Sequence, residues 1–520
     1  MKKTLISIAL VISSITIFGQ SKDVASFKAA NLNWYNKDLK QNKIAGASVD
    51  IAYSSVLANL KPQKTVVVAV IDGGVDINHD DLKGKIWINA DEIPNNNIDD
   101  DNNGYIDDIN GWNYIGNRSG SNVDYENYEY TRLIKQDNNK YPKAKELYEK
   151  ELSKRQTEKT NIQQLDDNLK VCKSIIHDNT GIDVKSKEDL AKVNSKLPNV
   201  NIAKKFLAKV YKLGFTDSDF EKMKEQNNEF LNYYLNKDFD ARSIINDDPN
   251  NLEDRNYGNN DVKGPKSEHG TMVAGIIAAT RDNNIGINGI ASDVRIMVLR
   301  TTPNGDERDK DVALAIIYAA DNGADIINMS FGKQFSPQKE FVDKAVKYAE
   351  SKGVLMIHSA GNSGENIDVT ESFPTDKYLD GGEATNWISV GASQMIINKE
   401  FAADFSNYGA KQVDIFAPGV DIISTDSCNM YNMHSGTSFS GPVVTGVAAL
   451  VLSYFPKITP QQMVELLMKS SSKVTKPKSI LEPSLTAEKR AKTSFSSLSK
   501  SGGIVNAYNA LLLAQQKYGK

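Results

Sequence analysis

Six short segments constrain this chain most. They are Val66-Val-Val-Ala-Val-Ile71, Val294-Arg-Ile-Met-Val-Leu299, Asp325-Ile-Ile-Asn-Met-Ser330, Gly353-Val-Leu-Met-Ile-His358, Trp387-Ile-Ser-Val390 and Val413-Asp-Ile-Phe416. Each is apolar, short and rich in β-branched residues, without the strict alternation of a half-exposed strand. Such runs read as parallel strands buried on both faces. Helical patterns separate them, over Thr271–Ala279, Asp311–Asn322 and Glu340–Lys352, and Gly323 and Gly353 follow the last two as stop signals. The expected fold class is therefore α/β, a parallel sheet with helices on both faces. A hydrophobic content of 40% in 520 residues supplies a sizeable core. A net charge of −4 gives no basic excess, so no nucleic-acid partner is expected.

The stretch from Tyr125 to Asp240 breaks this rhythm. It is rich in Lys, Glu, Asn and Gln. Ile162, Leu165, Leu169, Cys172 and Ile176 recur at helical spacing, as do Ile202, Phe206, Val210 and Leu213, and then Phe220, Met223, Phe230 and Tyr234. Ser186-Lys-Glu-Asp189 has the form of a capping box. These stripes predict an inserted helical hairpin or small bundle rather than a disordered charged linker. It is also the expected place for a protein partner.

At the N-terminus, Lys2 and Lys3 precede an apolar run from Leu5 to Phe18, and Gly19 stands before Gln20. This is the pattern of a cleaved export signal, and the run is short for a membrane span of about 20 residues. The expected order is a signal peptide at 1–19, a short N-terminal region at 20–60, a first catalytic part at 61–124, the insertion at 125–240 and a second catalytic part at 241–520. The mature chain is expected in the periplasm or outside the cell, with no membrane attachment. Cys172 and Cys428 leave one bridge or two free thiols open.

Three polar residues occupy positions suited to catalysis. Asp72 ends the first strand, at the crevice where open parallel sheets build their sites. A lone Asp there is otherwise a turn residue. His269 opens His269-Gly-Thr-Met-Val-Ala-Gly275 at the start of a helix, where Gly270 and Gly275 allow close packing. His79, His177, His358 and His434 lack such a frame. Ser438 lies in Ser435-Gly-Thr-Ser438-Phe-Ser-Gly-Pro442, before the apolar stretch Val443–Tyr454. Serine becomes a nucleophile when an oriented base takes its proton, and Asp72, His269 and Ser438 supply those three roles. Asn362, after a strand, could donate its amide to an oxyanion. Taken singly, Ser438 is equally a helix cap and Asn362 a turn residue.

Together the segments resemble the subtilisin-like serine proteases. The resemblance rests on Val68-Ala-Val-Ile-Asp72-Gly-Gly-Val-Asp76, His269-Gly-Thr-Met-Val-Ala-Gly275, Asn328-Met-Ser-Phe-Gly332, Ser359-Ala-Gly-Asn362 and Ser435-Gly-Thr-Ser438. Phe405-Ser-Asn-Tyr-Gly409 and Ile415-Phe-Ala-Pro-Gly419 support it. Their order Asp, His, Ser is that of subtilisin. The resemblance implies a seven-stranded parallel sheet and a secreted serine endopeptidase. It implies attack by Ser438, with His269 as base and then acid, Asp72 as orienting carboxylate and Asn362 in the oxyanion hole. Ser330, Phe331 and Gly332, with Ser359, Ala360 and Gly361, are implied as edges that pair with an extended polypeptide substrate. A peptide cyclase or transpeptidase on the same fold shares the acyl-enzyme, and an inactive binding homologue would lack the intact triad. Glu365 and Glu371, near the first specificity pocket, hint at basic side chains but read equally as surface glutamates.

Three departures stand out. Roughly 200 residues separate Asp72 from His269, which needs an inserted domain. About 40 residues lie between the signal and the first strand, short for a folding propeptide. Met272 replaces a histidine common in the family. The family pattern runs nearly to Lys520, through Gly502-Gly-Ile-Val-Asn-Ala507, with no added C-terminal domain expected.

The chemistry itself needs no cofactor. Asp99-Asp-Asp101-Asn-Asn103-Gly104-Tyr-Ile-Asp107-Asp108 places oxygens at alternate positions before a glycine, like the first half of a calcium loop. Asn110 stands where the full motif has Glu, and a solvated acidic turn is the alternative. The expected ligands of a structural calcium are Asp99, Asp101, Asn103, the Tyr105 carbonyl and Asp107.

Overall fold

A computed structural model describes residues 23–519, apart from Gly214 and Asn256. The export signal expected at 1–19 lies outside the described residues. Contacts divide the chain into two compact units, one of Asn127–Asp240 and one of the described residues of Gly19–Glu126 with Ala241–Lys520.

In the larger unit the strands are β1 (Val66–Asp72), β2 (Gly111–Asn113), β3 (Val294–Arg300), β4 (Ile326–Met329), β5 (Leu355–Ser359), β6 (Trp387–Ser393) and β7 (Ile415–Pro418). These seven pair in parallel in the order β7-β6-β5-β4-β1-β3-β2. Beyond β7 the sheet gains two strands of two residues each, β10 (Ser472–Lys473) and β13 (Gly503–Ile504), so it has nine strands rather than seven. Strand β13 is parallel to β7, and β10 closes the edge antiparallel to β13. A separate antiparallel ribbon joins β8 (Ile422–Asp426) to β9 (Met430–His434). A small hairpin joins β11 (Ile480–Leu481) to β12 (Lys492–Thr493).

Four helices frame the site: α1 (Glu268–Ala278), α2 (Asp309–Asp321), α3 (Lys339–Ser351) and α4 (Thr437–Tyr454). Val66, Val68 and Val70 of β1 point into one core shared with Val273, Ile276 and Ile277 of α1 and Val443, Val444 and Val447 of α4. Full burial of each valine contributes about 1.5–3 kcal/mol. Because β side chains alternate, Ala69 and Ile71 are buried outside that cluster. Helix α2 packs on β1 and β3, and against α3. A sheet covered on both faces explains why these strands read as unbroken apolar runs. Helix α4 is long and apolar enough to cross a membrane, but 89% of it is buried as the core helix of this unit.

The smaller unit is helical. A 39-residue helix, Pro142–Thr180, packs with Pro198–Lys212 and Asp217–Glu229. Their shared core includes Ile162, Leu165, Leu169, Ile176, Leu207, Val210, Phe220 and Met223. The second stripe is rotated from the expected one. Val200, Ala203, Leu207 and Val210 face inward, whereas Ile202 and Leu213 are exposed. Ser186 caps the helix Lys187–Lys192 by accepting from the Asp189 N–H, but the Asp189 carboxylate takes the Lys185 N–H, so the box is shifted by one residue. Tyr125 and Glu126 belong to the larger unit, where the Glu126 N–H donates to the Asn304 carbonyl at 2.8 Å. Cys172 and Cys428 are both free thiols.

Candidate active site

The sheet delivers Asp72 at the carboxyl end of β1, one residue before Gly73, whose N–H donates to Asp72 Oδ1 at 2.7 Å. Helix α1 brings His269 against it. His269 Nδ1 lies 2.9 Å from both Oδ1 and Oδ2 of Asp72. A carboxylate only accepts, so Nδ1 carries the proton and Nε2 is left with its lone pair. Gly270 makes this approach feasible, because a Cβ there would sit 2.1 Å from the Gly74 carbonyl oxygen. A Cβ at Gly275 would meet Thr425 Oγ1 at the same distance. Both glycines are therefore required where helix meets strand and ribbon.

Burial pulls the His269 pKa down, but the charge and hydrogen bond of Asp72 outweigh it and leave the imidazole above its ordinary value. The ring also lies 5.5 Å, centroid to centroid, from Phe439.

Ser438 is the second residue of α4. Its Oγ donates to the Ser330 carbonyl at 3.1 Å, so in this structure the hydroxyl is not directed at the imidazole. Ser330 is held in turn, its own Oγ donating to the Ser438 carbonyl at 2.9 Å. The first N–H groups of a helix have no intrahelical acceptor and carry partial positive charge. The Ser438 N–H is one of these and points no bond at any described residue.

Thr437 fixes Asn362. Its N–H and its Oγ1 both approach Asn362 Oδ1, at 2.8 and 3.0 Å. A backbone N–H can only donate, so that atom is the amide oxygen and the Nδ2 donor faces the other way. Asn362 is exposed, and among the described residues Nδ2 has no acceptor. Sequence reading missed Thr437, which is legible only as the neighbour of a serine.

Two cavities flank this group. One, of about 380 Å³, is lined by Ser330, Phe331, Gly332, Ser359, Gly361, Asn362 and Ser438, and by Glu307, Glu365 and Glu371. The other, of about 230 Å³, is lined by Asp72, His269, Lys266, Arg300 and Asn304 among others. The expectation for Ser359–Gly361 needs correction. The Ala360 N–H donates to the Val390 carbonyl, and the Gly361 N–H to Thr437 Oγ1 at 3.1 Å. Asn407 donates to the Ala360 carbonyl from its side chain and to the Gly361 carbonyl from its backbone. A segment saturated in this way is a cavity wall, not an open strand edge. Ser359 and Gly361 line the cavity and Ala360 is buried behind it. On the other side, His358 Nε2 lies 2.9 Å from the Phe331 carbonyl.

The acidic loop is also rearranged. Carboxylate oxygens of Glu92, Asp99 and Asp101 converge to within 4.8 Å of one another. Glu92 was not anticipated, since it stands seven positions before Asp99 across a Pro-Asn turn and no periodicity links them. Asp107 departs from the expected set, because its carboxylate accepts the backbone N–H groups of Asn96 and Asn97. The Asn103 amide is committed to Asp101 and Asp108 through Nδ2 and to the Tyr105 N–H through Oδ1. Three converging carboxylates form an all-oxygen donor set, which fits a hard cation such as calcium better than a soft one.

Residues 63–496 match the model of the subtilase family, peptidase S8. The chain is 40% identical to the thermophilic serine proteinase of Bacillus sp. (strain AK1) over 42% of its own length and 49% of that protein. It is 37% identical to subtilisin DY of Bacillus licheniformis over 38% of its length and 67% of that protein. It is 36% identical to the cell wall-associated protease of Bacillus subtilis (strain 168), over 40% and 21% of the two chains. The chain thus spans about half the length of the first of these relatives. With the family match covering most of its sequence, the parallel sheet in place and Asp72, His269 and Ser438 in the family's order, the chain belongs to the subtilase family.

Proposed function

We propose that this chain is an exported serine endopeptidase acting on extended polypeptides. The observation that carries the reading is the Asp72–His269 pair at the carboxyl end of β1, with Ser438 and Asn362 at the N-terminus of α4. Export is supported by the apolar N-terminal run and by the cell wall-associated relative.

In this reading the Ser438 hydroxyl leaves the Ser330 carbonyl and turns to His269 Nε2, which takes its proton as Oγ attacks the scissile carbonyl. Asp72 keeps Nδ1 protonated and stabilises the imidazolium without accepting its proton. The negative oxygen is met by Asn362 Nδ2 and the Ser438 N–H, donors already aimed before the reaction. The C–N bond breaks as the imidazolium returns the proton to the leaving amine. Water then attacks the acyl-enzyme by the same route, with His269 again as base. The Ser330–Gly332 edge offers backbone pairing to the substrate.

Glu92, Asp99 and Asp101 would hold a structural calcium that tethers the 92–108 loop, with no part in the chemistry.

The test is fluorophosphonate labelling of the full chain and of Ser438→Ala, with peptide products read by mass spectrometry. Labelling of the wild type alone, with hydrolysed products, is expected. Equal labelling of both proteins would overturn the role of Ser438, and cyclised or transferred products would replace hydrolysis by acyl transfer.

A further inference from the structure

The cavity beside Ser438 carries a definite sign. Glu307, Glu365 and Glu371 line it, and Lys333 is the basic residue among them. They come from separate loops, Glu307 from the one after β3 and Glu365 and Glu371 from the one after β5. Burial pushes the Glu307 carboxyl up to about 7, so the surplus charge rests on Glu365 and Glu371, which Lys333 does not pair with. The Lys333 Nζ lies 2.8 Å from Asp309 Oδ1, and its side chain is 2% exposed. It also donates to the Glu307 carbonyl at 2.8 Å. Glu365 and Glu371 are exposed, and among the described residues neither carboxylate has an ion-pair partner. The cavity therefore presents surplus negative charge within reach of a bound side chain.

Position identifies which side chain that is. The cavity is bounded by Ser438 and by Asn362, whereas His269 lines the other cavity. A side chain seated between nucleophile and oxyanion donor belongs to the residue whose carbonyl is attacked. The leaving amine lies toward the imidazole that protonates it. An apolar side chain here would strip water from carboxylates without replacing it, and an acidic one would meet like charge. The second cavity carries mixed charge, Asp72 and Asp124 with Lys266 and Arg300, and sets no sign.

We propose that this cavity receives a lysine or arginine side chain, so that the chain cleaves polypeptides after basic residues. This rests on Ser438 being the nucleophile.

The test uses the full chain and a peptide series differing only at the residue before the scissile bond, as Arg, Lys, Leu, Phe or Glu. Fluorophosphonate labelling runs in parallel. For Arg and Lys, kcat/KM should exceed that for Leu and Phe by about tenfold or more, with Glu lowest. Raising salt from about 0.05 to 0.5 M should shrink the preference, because exposed charges are screened. In the double variant Glu365→Gln, Glu371→Gln the Arg-to-Leu ratio should fall at least about fivefold, mainly through KM, and Glu371→Asp should retain part of it. Labelled protein that cleaves Leu or Phe peptides as well as Arg peptides overturns the proposal. So does a ratio unmoved in the double variant. Absence of labelling and of all cleavage instead overturns the Ser438 reading, and this proposal with it.

Discussion

Asp72 holds both carboxylate oxygens 2.9 Å from Nδ1 of His269, a residue 197 positions later in the chain. That contact raises the imidazole pKa against the opposing effect of burial. A protonated His269 cannot accept the Ser438 proton, so kcat/KM should rise with pH through a value above the ordinary 6.5. Asp72→Asn removes the charge and the ionic hydrogen bond that raise the pKa of this half-exposed ring. Its residual activity, lower by about 10⁴ in kcat, should have its acid limb displaced to lower pH. Rate profiles from pH 5 to 9 for both proteins check this, and coincident limbs would contradict the assignment.

Asn362 meets Thr437 with its oxygen and the cavity with its nitrogen. Asn362→Asp keeps the acceptor for the Thr437 N–H but replaces the donor with a carboxylate oxygen. We expect kcat to fall by about 10²–10³ or more, with KM little changed, because in the proposed mechanism the donor acts on the oxyanion rather than on the bound substrate. A thermal midpoint close to wild type, together with that kcat loss, separates the role from a folding defect.

How much of this was legible in the sequence follows from which interactions are local. The six apolar runs became β1 and β3–β7 because burial on both faces removes the need for alternation. His269-Gly-Thr and Ser435-Gly-Thr-Ser438 could be read because small residues mark a close approach. Two-residue strands such as β10 and β13 could not be read, since nothing in Ser472–Lys473 or Gly503–Ile504 prefers a strand until β7 offers an edge. The wall role of Ser359–Gly361 was hidden for a similar reason. Its partners, Val390, Asn407 and Thr437, are distant in sequence. The Ile202 and Leu213 error came from choosing one of two overlapping helical stripes, which only the packing partner distinguishes.

The loop around Glu92, Asp99 and Asp101 is expected to gain stability from calcium. If calcium joins these carboxylates, saturating calcium at about 100 times its Kd should stabilise the fold by about 2.7 kcal/mol. Chelation should lower the thermal midpoint, and Glu92→Gln with Asp101→Asn should abolish the difference. Calorimetry with and without chelator checks this, and an unchanged midpoint would remove calcium from the account. Labelling of Ser438 should survive chelation below the melting transition, since none of the three carboxylates lines either cavity beside Ser438.

His358 is expected to contribute to the acid sensitivity of the fold. It is buried on β5, and its Nε2 lies 2.9 Å from the Phe331 carbonyl, which only accepts, so the ring is neutral with its proton on Nε2. Burial lowers its pKa from 6.5 to about 4, against a smaller opposing contribution from that carbonyl bond. Between those values the unfolded chain binds a proton that the folded chain refuses, so stability rises with pH across the window. The contribution is complete above about pH 6.5 and is lost as pH falls toward 4, amounting to roughly 3 kcal/mol for a shift of this size. His358→Gln can keep a donor for the Phe331 carbonyl but cannot titrate. Denaturant midpoints at pH 4, 5, 6 and 7 should therefore fall more steeply on acidification for wild type than for His358→Gln. Parallel curves would show that the acid sensitivity resides elsewhere. Because Phe331 lines both cavities, charging His358 also threatens the substrate edge, so peptide KM should rise in wild type before the fold is lost.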